Sequence, residues 1–177
     1  MMLGALMVIT GSGAQSPKIG SAAHKPRVVA KANSVIPVTQ AEVRAVFTRV
    51  NQVLTDAEMV KTPIGNSPIP DSIKTATRAQ VISEMSRVYQ AASPSFKLNL
   101  KAVPVDSYAI RLPDLASRQK IRVLIAAGAV AKYGPLVSGP TMSLTVAEFG
   151  DAVGFFLARI SELTHMPSRK WTPYLHG

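Results

Sequence analysis

Thr77-Arg78-Ala79-Gln80-Val81 and Thr145-Val146-Ala147-Glu148-Phe149 are the two stretches that decide the fold of this chain. In each, a threonine stands three residues ahead of a glutamine or glutamate, and an apolar residue follows. The threonine oxygen accepts the amide of the third helical residue. The longer side chain returns to the threonine's own amide, so four residues write a helix start. Thr39-Gln40-Ala41-Glu42 writes a third. Behind each start the apolar residues recur every three or four positions. They are Val43, Val46, Phe47, Val50, Val53, Leu54 and Ala57 behind the Thr39 start, and Val81, Ile82, Met85, Val88 and Tyr89 behind Thr77. Phe149, Val153, Phe156, Ile160 and Leu163 follow Thr145.

Working outward, the first helix is predicted to reach about Glu58. Thr62-Pro63-Ile64-Gly65-Asn66-Ser67-Pro68-Ile69-Pro70 then forbids continuation, because proline lacks the amide that a helix needs. The second helix ends at Ser93-Pro94. Phe96, Leu98 and Leu100 alternate with Lys97, Asn99 and Lys101, which predicts a short extended piece. A third helix over about Leu115 to Ala127 turns Ile121, Leu124 and Ile125 inward and Arg118, Lys120 and Arg122 outward, with Gly128 as its cap. A loop holding Gly134, Pro135, Gly139 and Pro140 precedes the last helix, which stops before Pro167.

The two halves carry the same order of parts. One helix ends in Ala57-Glu58-Met59-Val60 and the other in Ala127-Gly128-Ala129-Val130; a Pro/Gly loop follows, then a Thr-x-Ala-Glu/Gln start. Internal duplication is the simplest account, with repeats over residues 38–92 and 112–166 joined by a connecting segment, 93–111. One unit cannot cover its own apolar stripes, so the two are expected to share a core. The predicted fold class is all-α, a small bundle of duplicated helix-loop-helix repeats behind a basic N-terminal linker, with residues 167–177 as a tail.

With Leu112-Pro113-Asp114 ahead of the third helix, Ala126-Ala127-Gly128-Ala129-Val130 closing it and the Thr-x-Ala-Glu/Gln starts, the chain resembles the S-layer homology domain family over roughly residues 39–165. Thr77-Arg78-Ala79-Gln80 stands nearest to that family's Thr-Arg-Ala-Glu motif. The family usually anchors through three repeats, whereas two are found here beside the early Thr39-Gln40-Ala41-Glu42. The motif arginine occurs only as Arg78, being Gln40 and Val146 elsewhere, and Tyr108 is the nearest candidate for the aromatic residue that often precedes a repeat. The resemblance implies attachment to an anionic cell-wall polysaccharide, with Arg78 facing an acidic sugar. A guanidinium at a helix start adds a fork of donors to free amides and the positive end of the helix dipole, which suits a carboxylate or phosphate. Gly65 and Asn66, in the loop, would let backbone approach a glycan closely; the plain alternative for them is a turn, and for Arg78 a solvated helix start.

Twenty Lys and Arg stand against 10 Asp and Glu, a formal net charge of +10, which favours acidic partners. Met1 to Ile9 is almost wholly apolar, and Ser12 and Ala14 occupy the small-residue places of a cleavage site, so residues 1–14 read as a secretory signal without its basic first part. The alternative is a frayed apolar tail. The run is about half the 20 or so residues that a membrane span needs, and no later stretch reaches that length. Residues 15–37 carry Lys18, Lys25, Arg27 and Lys31 among three prolines and read as a solvated linker, or else as a basic arm for polyanions. The chain is therefore expected at a bacterial cell envelope or surface, on its own or as part of a longer one.

No catalytic residue, metal site or cofactor is expected. His24, His165 and His176 lack ligand spacing, cysteine is absent, and no phosphate loop occurs. A carboxylate pair drawn from Asp106, Asp114, Glu148 and Asp151 is the remaining enzymatic alternative, though helix capping accounts for two of these. Nucleic-acid binding is the less favoured partner class, since aromatics make up only 6% of residues and the basic ones are scattered. Self-association through the Met- and Phe-bearing stripes is the third reading.

Overall fold

The computed structural model describes residues 36–98 and 102–167. It is all-α, with more than half of these residues in helices and no sheet. The helices are α1 (Gln40–Asp56), α2 (Arg78–Ala92), α3 (Leu115–Ala126), the single turn α4 (Pro135–Ser138) and α5 (Val146–Leu163). Short 3-10 turns occupy Ser93–Ser95 and Ser107–Ala109.

All three capping boxes form. Thr39, Thr77 and Thr145 each accept the amide of Glu42, Gln80 and Glu148, whose side chains return to the threonine amides. The three starts are then tied to one another in a closed ring. The Gln40 amide donates to the Lys74 carbonyl at 2.8 Å, that of Arg78 to Met142 at 2.7 Å, and that of Val146 to Ile36 at 2.8 Å. Each acceptor lies three residues ahead of the next cap threonine, so every helix start satisfies one orphan amide on the approach strand of its neighbour. Antiparallel bridges Thr39–Thr75, Thr77–Ser143 and Pro37–Thr145 lie alongside. Val38, Ala76 and Leu144, one residue before each cap, are buried. Three equivalent helix starts thus meet, and residues 38–92 and 112–166 share one core rather than standing as separate units. Ile36 and Pro37, expected in the linker, belong to the ring because α5 needs their backbone.

Three helices end alike. After α1, α3 and α5, Glu58 (φ 56°), Gly128 (φ 68°) and His165 (φ 54°) take the left-handed conformation. Met59 N donates to Leu54 O at 2.8 Å, Ala129 N to Leu124 O at 2.8 Å and Met166 N to Ser161 O at 2.9 Å, the long bond of a Schellman cap. The matched steps Ala57-Glu58-Met59-Val60 and Ala127-Gly128-Ala129-Val130 are therefore the same turn. This also ends α1 at Asp56, two residues short of the predicted Glu58.

The stripes close over a single core in which Phe47, Leu54, Met85, Ile121, Leu124 and Phe156 are fully buried. The Phe47 and Phe149 rings, from α1 and α5, meet at 6.2 Å between centroids. Two expectations differ. The loop around Gly134 and Pro135 contains α4, which proline opens at the first helical position. Residues 96–98 form no strand; Lys97 N instead donates to Leu163 O at 2.8 Å, since no neighbouring strand is there to pair with them. Residues 99–101, the predicted signal, nearly all of the linker and the tail beyond Pro167 lie outside the described residues.

Candidate ligand groove

The loop between α1 and α2 is built on its prolines and on one carbonyl. Ile69 turns into the core, and Ser67, also buried, accepts the Ile69 amide at 3.3 Å. At the tip, the Gly65 carbonyl accepts Asn51 Nδ2 from α1 at 3.3 Å and Arg87 Nη1 from α2 at 2.6 Å. Arg87 Nη2 donates to Glu84 at 2.7 Å, and that carboxylate side chain is only 1% exposed. A buried carboxylate must be paired. Arg87 pairs it while also pinning the loop, so α1, α2 and the loop hold one another at Gly65.

Gly65 itself is not required by this arrangement. Its φ is not left-handed, and a Cβ placed there would meet no atom within 4 Å. The space it leaves belongs to a groove of about 580 Å³ lined by Gly65, Asn66, Pro68, Arg87, Gln90 and Pro94. On the α1 side of the same loop lies a recess of about 310 Å³, with Asn51, Thr55, Asp56 and Asn66 on its walls. A third, of about 370 Å³, is lined by Arg44, Thr48, Arg49, Gln52 and Asp71. The lining is mixed: hydroxyls, amides, guanidinium groups and two carboxylates. Two buried polar atoms here have no hydrogen-bond partner, Asn51 Oδ1 and Arg87 Nε.

Gly65 and Asn66 thus line one groove, as a ligand site at the loop requires. Arg78 does not join them. It stands at the first position of α2 as expected, yet it is only 2% exposed. Nη2 donates to the Arg111 carbonyl at 2.7 Å, and Nη1 lies 3.4 Å from the Pro135 carbonyl and 3.5 Å from that of Leu136. The guanidinium caps the segment before α3 and the turn α4, and burial pushes its pKa down. The expectation that Arg78 faces a ligand is corrected here, because the side chain is buried with Nη1 and Nη2 on backbone carbonyls inside the fold, and its Nε, which has no partner, is buried as well.

Three basic residues expected to face outward from α3 also tie it to neighbouring segments. Arg118 donates to the carbonyls of Leu112 and Pro113 at 2.7 and 2.9 Å, Lys120 to Ser83 at 2.9 Å, and Arg122 to Ser107 at 2.8 Å. Arg87 is the groove residue that sequence reasoning did not single out. Its signal was the Glu84–Arg87 spacing of three on α2, which puts both on one helix face.

Elsewhere, a mainly apolar cleft of about 220 Å³ lies between α4 and α5, with Leu136, Ala152 and Phe155 on its walls and Glu148 and Asp151 at its edge. Among the described residues no cluster of His, Asp and Glu is arranged to hold a metal ion. No helix among them is long and apolar enough to cross a membrane. No family profile, no curated protein and no solved structure matches this chain.

Proposed function

We propose that the chain is an exported, non-catalytic module that attaches to an anionic polysaccharide of a bacterial cell envelope, as the S-layer homology resemblance implies. The observation that carries this reading is Gly65. A glycine in an exposed loop tip, with neither a left-handed φ nor a crowded Cβ position to demand it, costs conformational entropy and leaves a groove open. The chemistry of the groove supports a glycan. Sugar hydroxyls both donate and accept, and the walls offer both kinds of group, among them Thr48, Gln52, Thr55, Asn66 and Gln90. Asp56 at the end of α1 and Asp71 in the loop after it line the recesses and oppose a closely spaced polyphosphate. The net charge of +10 draws the module toward an acidic polymer at long range.

The test is co-sedimentation with sacculi purified from a bacterium whose wall carries a carboxylated, pyruvylated polymer. The protein is expected in the pellet, and added duplex DNA is expected not to release it. Release by DNA at matched ionic strength would favour a nucleic-acid partner and overturn the reading.

A further inference from the structure

The three recesses around α1 and the loop are not separate. The 370 Å³ and 310 Å³ recesses share Thr48 and Gln52, and the 310 Å³ and 580 Å³ recesses share Ile64 and Asn66. We propose that they form one furrow that takes a stretch of several sugars along a linear polysaccharide, rather than a single terminal sugar. This rests on the glycan reading and names the form of its ligand.

Three observations lead there. The α1 part alone runs from Ala41 to Asp56, which at 1.5 Å per residue is about 22 Å of helix, longer than one sugar ring. Along its middle, one recess carries the hydroxyls of Thr48 and Thr55 and the amides of Gln52 and Asn66. Sugar hydroxyls donate to and accept from groups of both kinds. The charges, finally, are spread out. Arg44 and Arg49 stand at one end beside Asp71 and Arg87 at the other, with hydroxyls, amides and Asp56 between. That spacing suits acidic groups set apart by neutral sugars. Arg44, which has no ion-pair partner among the described residues, then takes the cationic role that the buried Arg78 cannot.

The experiment uses polysaccharide released from the same sacculi and cut to graded lengths, from disaccharide upward, with binding to the full chain followed by titration calorimetry. Affinity is expected to rise with length by about tenfold or more, as contacts along one chain add, and then to level off. Gln52→Trp, an exposed change at the junction of the two α1 recesses, is expected to bring long fragments down to the affinity of short ones. Arg44→Ala is expected to weaken long fragments more than short ones, and it keeps the test alive should the tryptophan disturb α1. Equal affinity at every length, with sacculi still bound, would overturn the furrow and spare the glycan reading. Failure to bind either sacculi or fragments would overturn both.

Discussion

Arg78 Nη2 donates to the backbone carbonyl of Arg111 at 2.7 Å, a bond across 33 residues of sequence that turns the motif arginine from a ligand contact into a structural one. Its helix start is held as well, through the amide that donates to Met142. Arg78→Ala takes a donor from the Arg111 and Leu136 carbonyls, while that of Pro135 keeps the Gly139 amide, and is expected to cost on the order of 2–4 kcal/mol in chemical denaturation. Arg78→Lys recovers part of this, since an ammonium lacks the planar fork. Polysaccharide binding by the fraction still folded is expected to be unchanged.

The ring of caps makes a second prediction. Thr39→Ala, Thr77→Ala and Thr145→Ala should each cost about 1 kcal/mol through the lost cap. Each start hydrogen-bonds the approach to the next, so paired substitutions are expected to depart from additivity by more than about 0.5 kcal/mol. Simple additivity in urea melts would mean that the three starts are energetically independent.

The left-handed turns give a reciprocal pair. At Gly128 a Cβ would also stand 3.3 Å from the Arg159 guanidinium, whose Nε donates to Ala127 O at 3.0 Å. Gly128→Ala is therefore expected to destabilise by about 1–2 kcal/mol. Glu58→Gly, at the same place after α1, is expected to stabilise by up to about 1 kcal/mol, because glycine takes that conformation without penalty. Thermal melts of the two variants read both signs.

Acid stability follows from the caps. The Thr39 amide, and then its hydroxyl, hold the Glu42 carboxyl below its usual range, and the Ser117 amide does the same for Asp114. A carboxyl with a lowered folded pKa contributes stability that is present above its unfolded value, near 4, and is lost as pH falls through the folded one. Stability is thus expected to be flat above about pH 5 and to decline below about pH 4. Glu42→Gln should shallow that decline. Both carboxyls are well exposed, so each effect is small.

Much of the fold was legible because capping boxes and stripes are local signals. Thr39/Glu42, Thr77/Gln80 and Thr145/Glu148 all form, and the stripe residues of all four long helices are buried apart from Val46 and Tyr89, which are partly buried. The ring was not legible, since backbone bonds such as Arg78 N to Met142 O join residues 64 apart and leave no mark on side-chain pattern. The matched helix ends pointed to a repeat of two, whereas the equivalence in space runs over three starts. At the site, Gly65 and Asn66 could be named from loop chemistry. Whether a guanidinium points outward or into a nest of carbonyls depends on α4, a turn hidden in a proline- and glycine-containing loop, so Arg78 was misjudged and Arg87 overlooked.

The most direct test of the central claim is Gly65→Leu, measured for retention on wall polysaccharide and for thermal stability in parallel, with Lys74→Ala as an exposed control of charge. Nothing within 4 Å of the Gly65 Cβ position resists the new side chain, which fills the groove instead. The account predicts a melting temperature close to that of the unaltered protein and retention lowered about tenfold, the effect of about 1.4 kcal/mol. The control should retain nearly full binding. Undiminished retention by a folded Gly65→Leu protein would contradict the account, because the groove at the loop would then not be where the polymer binds.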